Sequence, residues 1–329
     1  MNDIYQSAVH NNRGSALVMQ GKLGAARDEL EAALREYPTN STALTNLGYL
    51  LSREGKLDEA ILLYQKAIGI NPSYAVAHNN LGLAYTEKEQ YPEAREAFRT
   101  AISLDPAYAV AFLNLAQLHH IEGELTAAVE AYRACLRIRP GEVQAHYNLG
   151  VVHLEQGLQD QAASSFWQAI RIDRDHAEAR INLAAILVKR RRWDQAIEMI
   201  TPAIRKQPEN HLARYHRALA FLGKGDLDQA ATDLEEILAR DAGAVAAANN
   251  LALIYRQQGK PEKAATLLSS CLDKHKGNTM LHYNLGLVQQ GLGCLDQARS
   301  HFTRVIELEP QGSERRERAQ NSLKECRAS

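Results

Sequence analysis

The sequence predicts an all-α solenoid of nine 34-residue helix-turn-helix units followed by a polar capping helix. Asn-Leu followed by Gly or Ala recurs every 34 residues, or after 68 across one gap. Each unit has Gly or Ala at its eighth position and Ala at its twentieth, and no insertion interrupts the register. This pattern is typical of stacked helix pairs, because a single pair cannot bury its apolar faces alone.

The repeat register sets the predicted domain organisation. The nine units start at residues 7, 41, 75, 109, 143, 177, 211, 245 and 279, so that the repeat domain spans residues 1–312. Residues 313–329 carry Ala319, Leu323 and Cys326 among many charged residues. This sparse apolar stripe predicts a capping helix that covers the last unit.

Composition excludes several other classes of protein. The 329 residues include 38 Lys or Arg and 39 Asp or Glu, a balance that argues against a chain built to coat nucleic acid. The four cysteines form no CxxC pair, which argues against a disulfide framework or a structural zinc site. No apolar run approaches the about 20 residues of a membrane helix, and the N-terminus lacks a secretion signal. These features predict a cytoplasmic protein, and a periplasmic or membrane-anchored protein without its N-terminal signal would share them.

Within each unit, the apolar pattern distinguishes two helices, A and B. In the third unit, helix A is predicted near residues 75–88 and helix B near residues 92–104. Helix B is amphipathic, with Ala94 and Phe98 on one face and Arg95 and Glu96 on the other. Helix A is apolar almost all round, which predicts that the A helices form the inner layer.

Four positions of the repeat form a specific fingerprint. Position 8 is small, position 20 is Ala, position 24 is mostly bulky, and position 32 is Pro in six units. This fingerprint resembles that of the tetratricopeptide repeat (TPR) and covers about nine-tenths of the chain. The resemblance implies a right-handed superhelix whose first helices line a concave groove. Position 4 departs from the family pattern, because residues such as His78 and Phe112 replace its Trp.

Position 6 of helix A is almost always asparagine, and we call this row the asparagine ladder. Its members are Asn12, Asn46, Asn80, Asn114, Asn148, Asn182, Asn250 and Asn284, with His216 in the seventh unit. Asn costs up to about 0.7 kcal/mol relative to Ala inside a helix, so its recurrence suggests a compensating role. A carboxamide offers donors and an acceptor, which could match the peptide groups of an extended ligand. A similar row occurs in the repeat region of O-linked N-acetylglucosamine transferases, which this chain resembles locally without sequence for their catalytic domain. The alternatives are inheritance by repeat duplication and amides that bridge adjacent helices.

The residues beside the asparagine ladder predict the class of ligand. Tyr147, Tyr215 and Tyr283 would lie at the margin of an apolar strip. The residues of this strip are Val76, Leu83, Val110, Val151, Leu219, Leu253 and Leu287. Such a surface predicts a protein-binding scaffold that holds an extended peptide segment of a partner. A self-assembling, homo-oligomeric scaffold for a larger complex is an alternative.

A basic region interrupts the pattern in the sixth and seventh units. Its residues are Arg180, Lys189, Arg190, Arg191, Arg192, Arg214 and Arg217. These residues predict a surface for an anionic ligand or a nucleic acid, although the balanced net charge disfavours nucleic acid. The alternative is a solvated turn with tolerated sequence drift.

The sequence predicts no enzyme activity, cofactor or metal. His119, His146 and His153 fall at packing positions of helix A, and no cysteine or carboxylate recurs with ligand spacing. No glycine-rich phosphate loop and no catalytic triad motif is present in the sequence.

Overall fold

The structure is a computed structural model that describes residues 2–328, with the side chains of residues 3–327. It confirms an all-α fold, since these residues form nineteen helices and no strand. The chain divides into two compact units, unit 1 (Met1–Arg174) and unit 2 (Asp175–Ser329). Met1 and Ser329 lie outside the described residues.

Unit 1 contains ten helices that form five A–B pairs. They are α1 (Asn2–Met19), α2 (Leu23–Glu36), α3 (Ser41–Arg53), α4 (Leu57–Ile70), α5 (Ala75–Glu87), α6 (Tyr91–Leu104), α7 (Ala109–Ile121), α8 (Leu125–Ile138), α9 (Val143–Glu155) and α10 (Gln159–Ile172). Odd-numbered helices are A helices and even-numbered helices are B helices. Each A helix packs against its own B helix, and α1, α3, α5 and α7 each also pack against the next A helix.

Unit 2 contains four further pairs and one terminal helix. They are α11 (Ala177–Lys189), α12 (Trp193–Lys206), α13 (His211–Lys224), α14 (Leu227–Arg240), α15 (Val245–Gln257), α16 (Pro261–Lys274), α17 (Thr279–Gly291), α18 (Leu295–Leu308) and α19 (Glu314–Ala328). No helix of the described residues combines the length and apolar character that crossing a membrane requires.

A left-handed residue separates helix A from helix B in every pair. Seven of these turns have Gly with φ between 72° and 86°, for example Gly55 and Gly123. Glu89 and Arg191 occupy the same place with φ of 58° and 57°. Glycine adopts this conformation without the steric cost that Cβ imposes, which explains its recurrence at the turn.

Small and large residues interlock between the two helices of a pair. The alanines at position 20 are buried in all nine repeats. At position 8, a Cβ added to Gly82 would lie 2.6 Å from Cε1 of the Phe98 ring at position 24. The absence of a side chain at Gly82 therefore allows the aromatic ring of Phe98 to lie directly on the backbone of helix A.

Helix α19 covers the last pair through an apolar and a polar contact. Ala319 and Cys326 are buried against Phe302 and Val305 of α18. The carboxylate of Glu309 accepts hydrogen bonds from Thr279 Oγ1 (2.5 Å), Arg315 Nη1 (2.6 Å) and Ser313 Oγ (3.0 Å).

The hydrogen bonds from Thr279 and Arg315 lower the pKa of Glu309 to about 2. Because the pKa is lowered on folding, the ionised carboxylate stabilises the α19 junction at neutral pH. This stabilisation is lost as the pH falls from about 4.5 toward 2. The negative charge of Glu309 therefore adds to the apolar contacts that hold α19.

We expect Glu309→Gln to release α19 and raise the labelling rate of the Cys326 thiol several-fold at pH 7. Peptide-level mass spectrometry after reaction with 4,4′-dithiodipyridine would measure this in a Cys294→Ser background, since Cys294 is exposed. The parent protein should reach the same acceleration only as the pH falls from about 4.5 toward 2, where Glu309 becomes protonated. Buried Cys135 is the internal control for global unfolding. Equal Cys326 labelling of both proteins at pH 7 would contradict the role of Glu309.

Candidate binding surface

One face of the A helices stays uncovered by the packing of each unit. We define the A-helix face as positions 2, 6, 9 and 13 of each A helix. In unit 1 it exposes Val76 and Leu83, and in unit 2 it exposes Leu212, Leu253 and Met280 at 55%, 45% and 42%. Large apolar side chains with this exposure are available for contact with another molecule.

Four amides of the asparagine ladder donate to the preceding repeat. Their acceptors are side-chain oxygens at position 5, and the pairs are Asn46 to Asn11 (2.8 Å), Asn114 to Asn79 (2.8 Å), Asn250 to Tyr215 (3.1 Å) and Asn284 to Asn249 (2.7 Å). Asn46 also donates to Ser15 Oγ at 2.9 Å. These amides therefore connect neighbouring A helices, and the polar residues at position 5 are the sequence signal for this role.

The other ladder positions differ in exposure and in contacts. Asn12 is exposed, whereas Asn80, Asn148, Asn182 and His216 are half-buried. Asn80 Oδ1 accepts from Asn79 Nδ2 at 3.3 Å, and Asn148 Oδ1 accepts from Gln144 Nε2 at 2.8 Å. Burial, followed by the charge of Lys189, lowers the pKa of His216, so its imidazole is neutral at pH 7.

The three tyrosines at position 5 are half-buried rather than fully exposed. The ring of Tyr147 lies 5.9 Å from that of Phe166, and the ring of Tyr283 lies 5.9 Å from that of Phe302. Position 5 and position 24 therefore fill a common space beneath the A-helix face.

Arg214 and Arg217 of the basic region bind a buried carboxylate. Asp233 is only 1% exposed and receives two hydrogen bonds of 2.7 Å from Arg217. Arg214 Nη1 donates to the same carboxylate at 3.3 Å. Asp233 was not among the residues predicted from the sequence, although it stands 19 residues after Arg214 at position 4. Glu29 stands at the same distance from His10, which it contacts at 2.7 Å. An acidic residue at position 23, in a repeat with a polar residue at position 4, is the sequence signal that could have predicted the role of Asp233.

The remaining basic residues are divided between a packed and an exposed setting. Arg180 donates from Nη1 to the backbone oxygen of Met199 at 3.2 Å, so its guanidinium contacts α12. The turn residues Lys189, Arg190, Arg191 and Arg192 are exposed. An anionic-ligand surface therefore stays a prediction for this turn, whereas Arg214 and Arg217 already bind a carboxylate of the protein.

Among the described residues, His119, Glu122 and Glu124 form a group of potential metal ligands. Their ligand atoms lie within 4.8 Å of one another. Arg95 Nη2 donates to Glu122 at 2.8 Å and to Glu124 at 3.0 Å, and His119 Nδ1 lies 2.5 Å from Glu124. The guanidinium supplies the positive charge that a metal ion would supply, so these residues form an ion-pair network.

Comparison with protein families places most of the chain in one family model. Residues 4–251 match the model of the cilia and flagella-associated protein 70 C-terminal domain. Residues 245–276 and 281–311 match two further tetratricopeptide-repeat models. No curated protein matches the chain.

Solved structures of other proteins show the same kind of fold. PilF from Pseudomonas aeruginosa is 21% identical, with a TM-score of 0.57 over 67% of this chain and 96% of PilF. MamA is 27% identical, with a TM-score of 0.44 over 50% of this chain and 96% of MamA. YrrB, described as a TPR protein with an unusual peptide-binding site, is 26% identical, with a TM-score of 0.46 over 56% of this chain and 95% of YrrB. The likeness to PilF supports the helix-pair fold.

Proposed function

Because the chain belongs to the tetratricopeptide-repeat family of the cilia and flagella-associated protein 70 C-terminal domain, we propose that it is a non-catalytic protein-binding scaffold. The A-helix face is the proposed binding surface, and its ligand is an extended segment of a partner protein. The observation that carries this proposal is the exposure of Leu212, Leu253 and Met280 on successive A helices of unit 2.

The chemistry of this surface supports a peptide ligand. In the last three repeats, His216 is the single ionisable residue on the A-helix face, and the other positions are apolar, glycine or amide residues. Alternating apolar and amide groups can bind the side chains and the backbone of an extended segment at the same time. A highly charged ligand such as nucleic acid would find few partners there.

The asparagine ladder has a second role in this proposal. Each amide carries two N–H donors and an oxygen acceptor. Asn114, Asn250 and Asn284 each use one N–H to reach the neighbouring repeat. The remaining N–H and the oxygen of the half-buried Asn250 and Asn284 would be available to the peptide groups of the ligand, whereas Asn114 is buried.

A pull-down from a lysate of the source organism tests the proposal, with quantitative mass spectrometry as the readout. The test variant is Leu212→Ser, Leu253→Ser and Met280→Ser, which removes exposed apolar side chains from the A-helix face. The matched control is Leu62→Ser, Trp167→Ser and Leu308→Ser, which removes exposed apolar side chains from three B helices. We expect at least a tenfold loss of partner with the test variant and retention with the control.

Two outcomes separate the parts of the proposal. Partners retained by the test variant, with an unchanged melting temperature, would exclude the A-helix face as the binding surface. A third variant, in which Asn114, Asn148 and Asn182 become Ala, tests the ladder. Loss of partners with the apolar variant but not with this one would give the asparagines a structural role alone.

A further inference from the structure

Repeat 8 lacks the aromatic pair that fills the space beneath the A-helix face in repeats 5 and 9. In repeats 5 and 9, a tyrosine at position 5 packs on a phenylalanine at position 24. In repeat 8 these positions are Asn249 and Leu268. Both side chains are smaller, so the same fold leaves space between α15 and α17.

This space is a cavity of about 220 Å³, which we call the repeat-8 cavity. Leu268 and Val288 line it, and Leu253 and Met280, which belong to the A-helix face, line it as well. An engineered apolar cavity of about 150 Å³ is known to bind benzene, so this volume is sufficient for an aromatic ring.

Two polar groups beside the repeat-8 cavity lack a partner among the described residues. Asn249 Oδ1 accepts from Asn284, but Asn249 Nδ2 is buried and has no hydrogen-bond acceptor. Arg256 is exposed and lines the cavity, and no carboxylate of the described chain lies within ion-pair distance of it. A buried donor without an acceptor and a cation without a counter-charge together fit a ligand that carries an oxygen acceptor and a negative charge.

We propose that the repeat-8 cavity binds an aromatic side chain of the partner segment, next to an acidic residue of that segment. The aromatic ring would occupy the space that Tyr and Phe fill in repeats 5 and 9. A backbone carbonyl of the segment would accept from Asn249 Nδ2, and its carboxylate would pair with Arg256. This inference rests on the proposed function and names the chemistry that the binding surface selects.

The charge and the apolar lining together favour this ligand over a purely apolar one. An apolar side chain alone would leave Arg256 without a counter-ion when the surface is covered. An acidic residue beside the ring satisfies the guanidinium and adds a salt-dependent component to binding.

The test selects a phage-displayed library of random dodecapeptides on the full chain and measures the enriched peptides by fluorescence polarisation. The test variant is Asn249→Tyr, which places a ring in the cavity. The fold should tolerate it, because Tyr215 at the same position accepts a hydrogen bond from Asn250, as a new tyrosine could from Asn284. The control is Ser269→Tyr, which adds the same ring to the exposed surface of α16, outside the cavity.

We expect enriched peptides with an aromatic residue beside Asp or Glu. Asn249→Tyr should weaken their binding at least tenfold, and Arg256→Gln should weaken it several-fold and reduce its salt dependence. The Ser269→Tyr control should bind as the parent does. Replacing the aromatic residue of the peptide by Ala should match the effect of Asn249→Tyr.

Other results separate this inference from the proposed function. Peptides could bind the Asn249→Tyr variant as tightly as the parent but fail to bind the variant in which Leu212, Leu253 and Met280 become Ser. This result would contradict the proposed ligand of the repeat-8 cavity and leave the A-helix face as the proposed binding surface. Peptides unaffected by either variant, or a library without enrichment on the full chain, would overturn both.

Discussion

Replacing Asp233 by Ala is expected to lower the free energy of unfolding of unit 2 by about 3–5 kcal/mol. The carboxylate is buried and joined to Arg217 by two hydrogen bonds of 2.7 Å and to Arg214 by one of 3.3 Å. Its removal leaves two guanidinium groups without their counter-charge. Because both arginines keep some contact with solvent, we expect a value near the lower end of this range.

A matched variant separates loss of the ion pair from loss of packing. Repeat 8 has Ala248, Leu251 and Leu267 at the positions of Arg214, Arg217 and Asp233. Transferring these three residues to repeat 7 should give a protein as stable as the parent or more stable, because well-packed apolar residues often replace a buried ion pair without loss. Asp233→Ala alone should be the least stable of the three proteins.

Hydrogen exchange of the amides in α13 and α14 is the appropriate measurement, since a repeat array need not unfold in one step. Protection in α17 and α18 provides the internal reference. A change of less than about 1 kcal/mol for Asp233→Ala would show that the arginines find other partners or water, and that the ion pair is not a stabilising feature.

The fold class was predictable because every repeat carries the same few constraints. Ala at position 20, a small residue at position 8 and a left-handed turn residue recur in register, and each has a direct structural cause. The period runs without interruption through Arg174, so the division into two compact units was not visible in the sequence. The division depends on how closely neighbouring helix pairs pack, which a repeat register does not specify.

The candidate site was only partly predictable, because the same residue type serves two purposes. Asparagine at position 6 suggested a ligand contact, but the donors of Asn114 and Asn284 reach position 5 of the preceding repeat. Likewise, Arg214 and Arg217 suggested an anionic ligand, and Asp233 is the anion they bind. A helix wheel shows which residues share a face, but it does not show which neighbour lies opposite them.

The interlocking of positions 8 and 24 gives the second large expected effect, in a double-mutant cycle at Gly150 and Phe166. A Cβ added to Gly150 would lie 2.6 Å from Cε1 of the buried Phe166 ring. Overpacking of this kind costs about 1–3 kcal/mol, which exceeds the gain of about 1 kcal/mol from replacing Gly by Ala in a helix. Gly150→Ala should therefore destabilise unit 1. Phe166→Leu should also destabilise it, by about 1–2 kcal/mol, because it leaves a cavity.

The double variant should be more stable than either single variant. Repeats 7 and 8 already combine Ala with Leu at these positions, as Ala218 with Leu234 and Ala252 with Leu268. The new methyl group would occupy part of the space that the ring vacates, so we expect a coupling energy of about 2 kcal/mol in favour of the pair.

Hydrogen exchange of the amides in α9 and α10 would measure the stability of the parent, the two single variants and the double variant. Additivity within about 0.5 kcal/mol would mean that the ring moves aside for the methyl group, and that positions 8 and 24 vary independently. Coupling would instead explain why Ala at position 8 accompanies an aliphatic residue at position 24 in repeats 6, 7 and 8, whereas repeat 4 combines Ala116 with the buried ring of Tyr132.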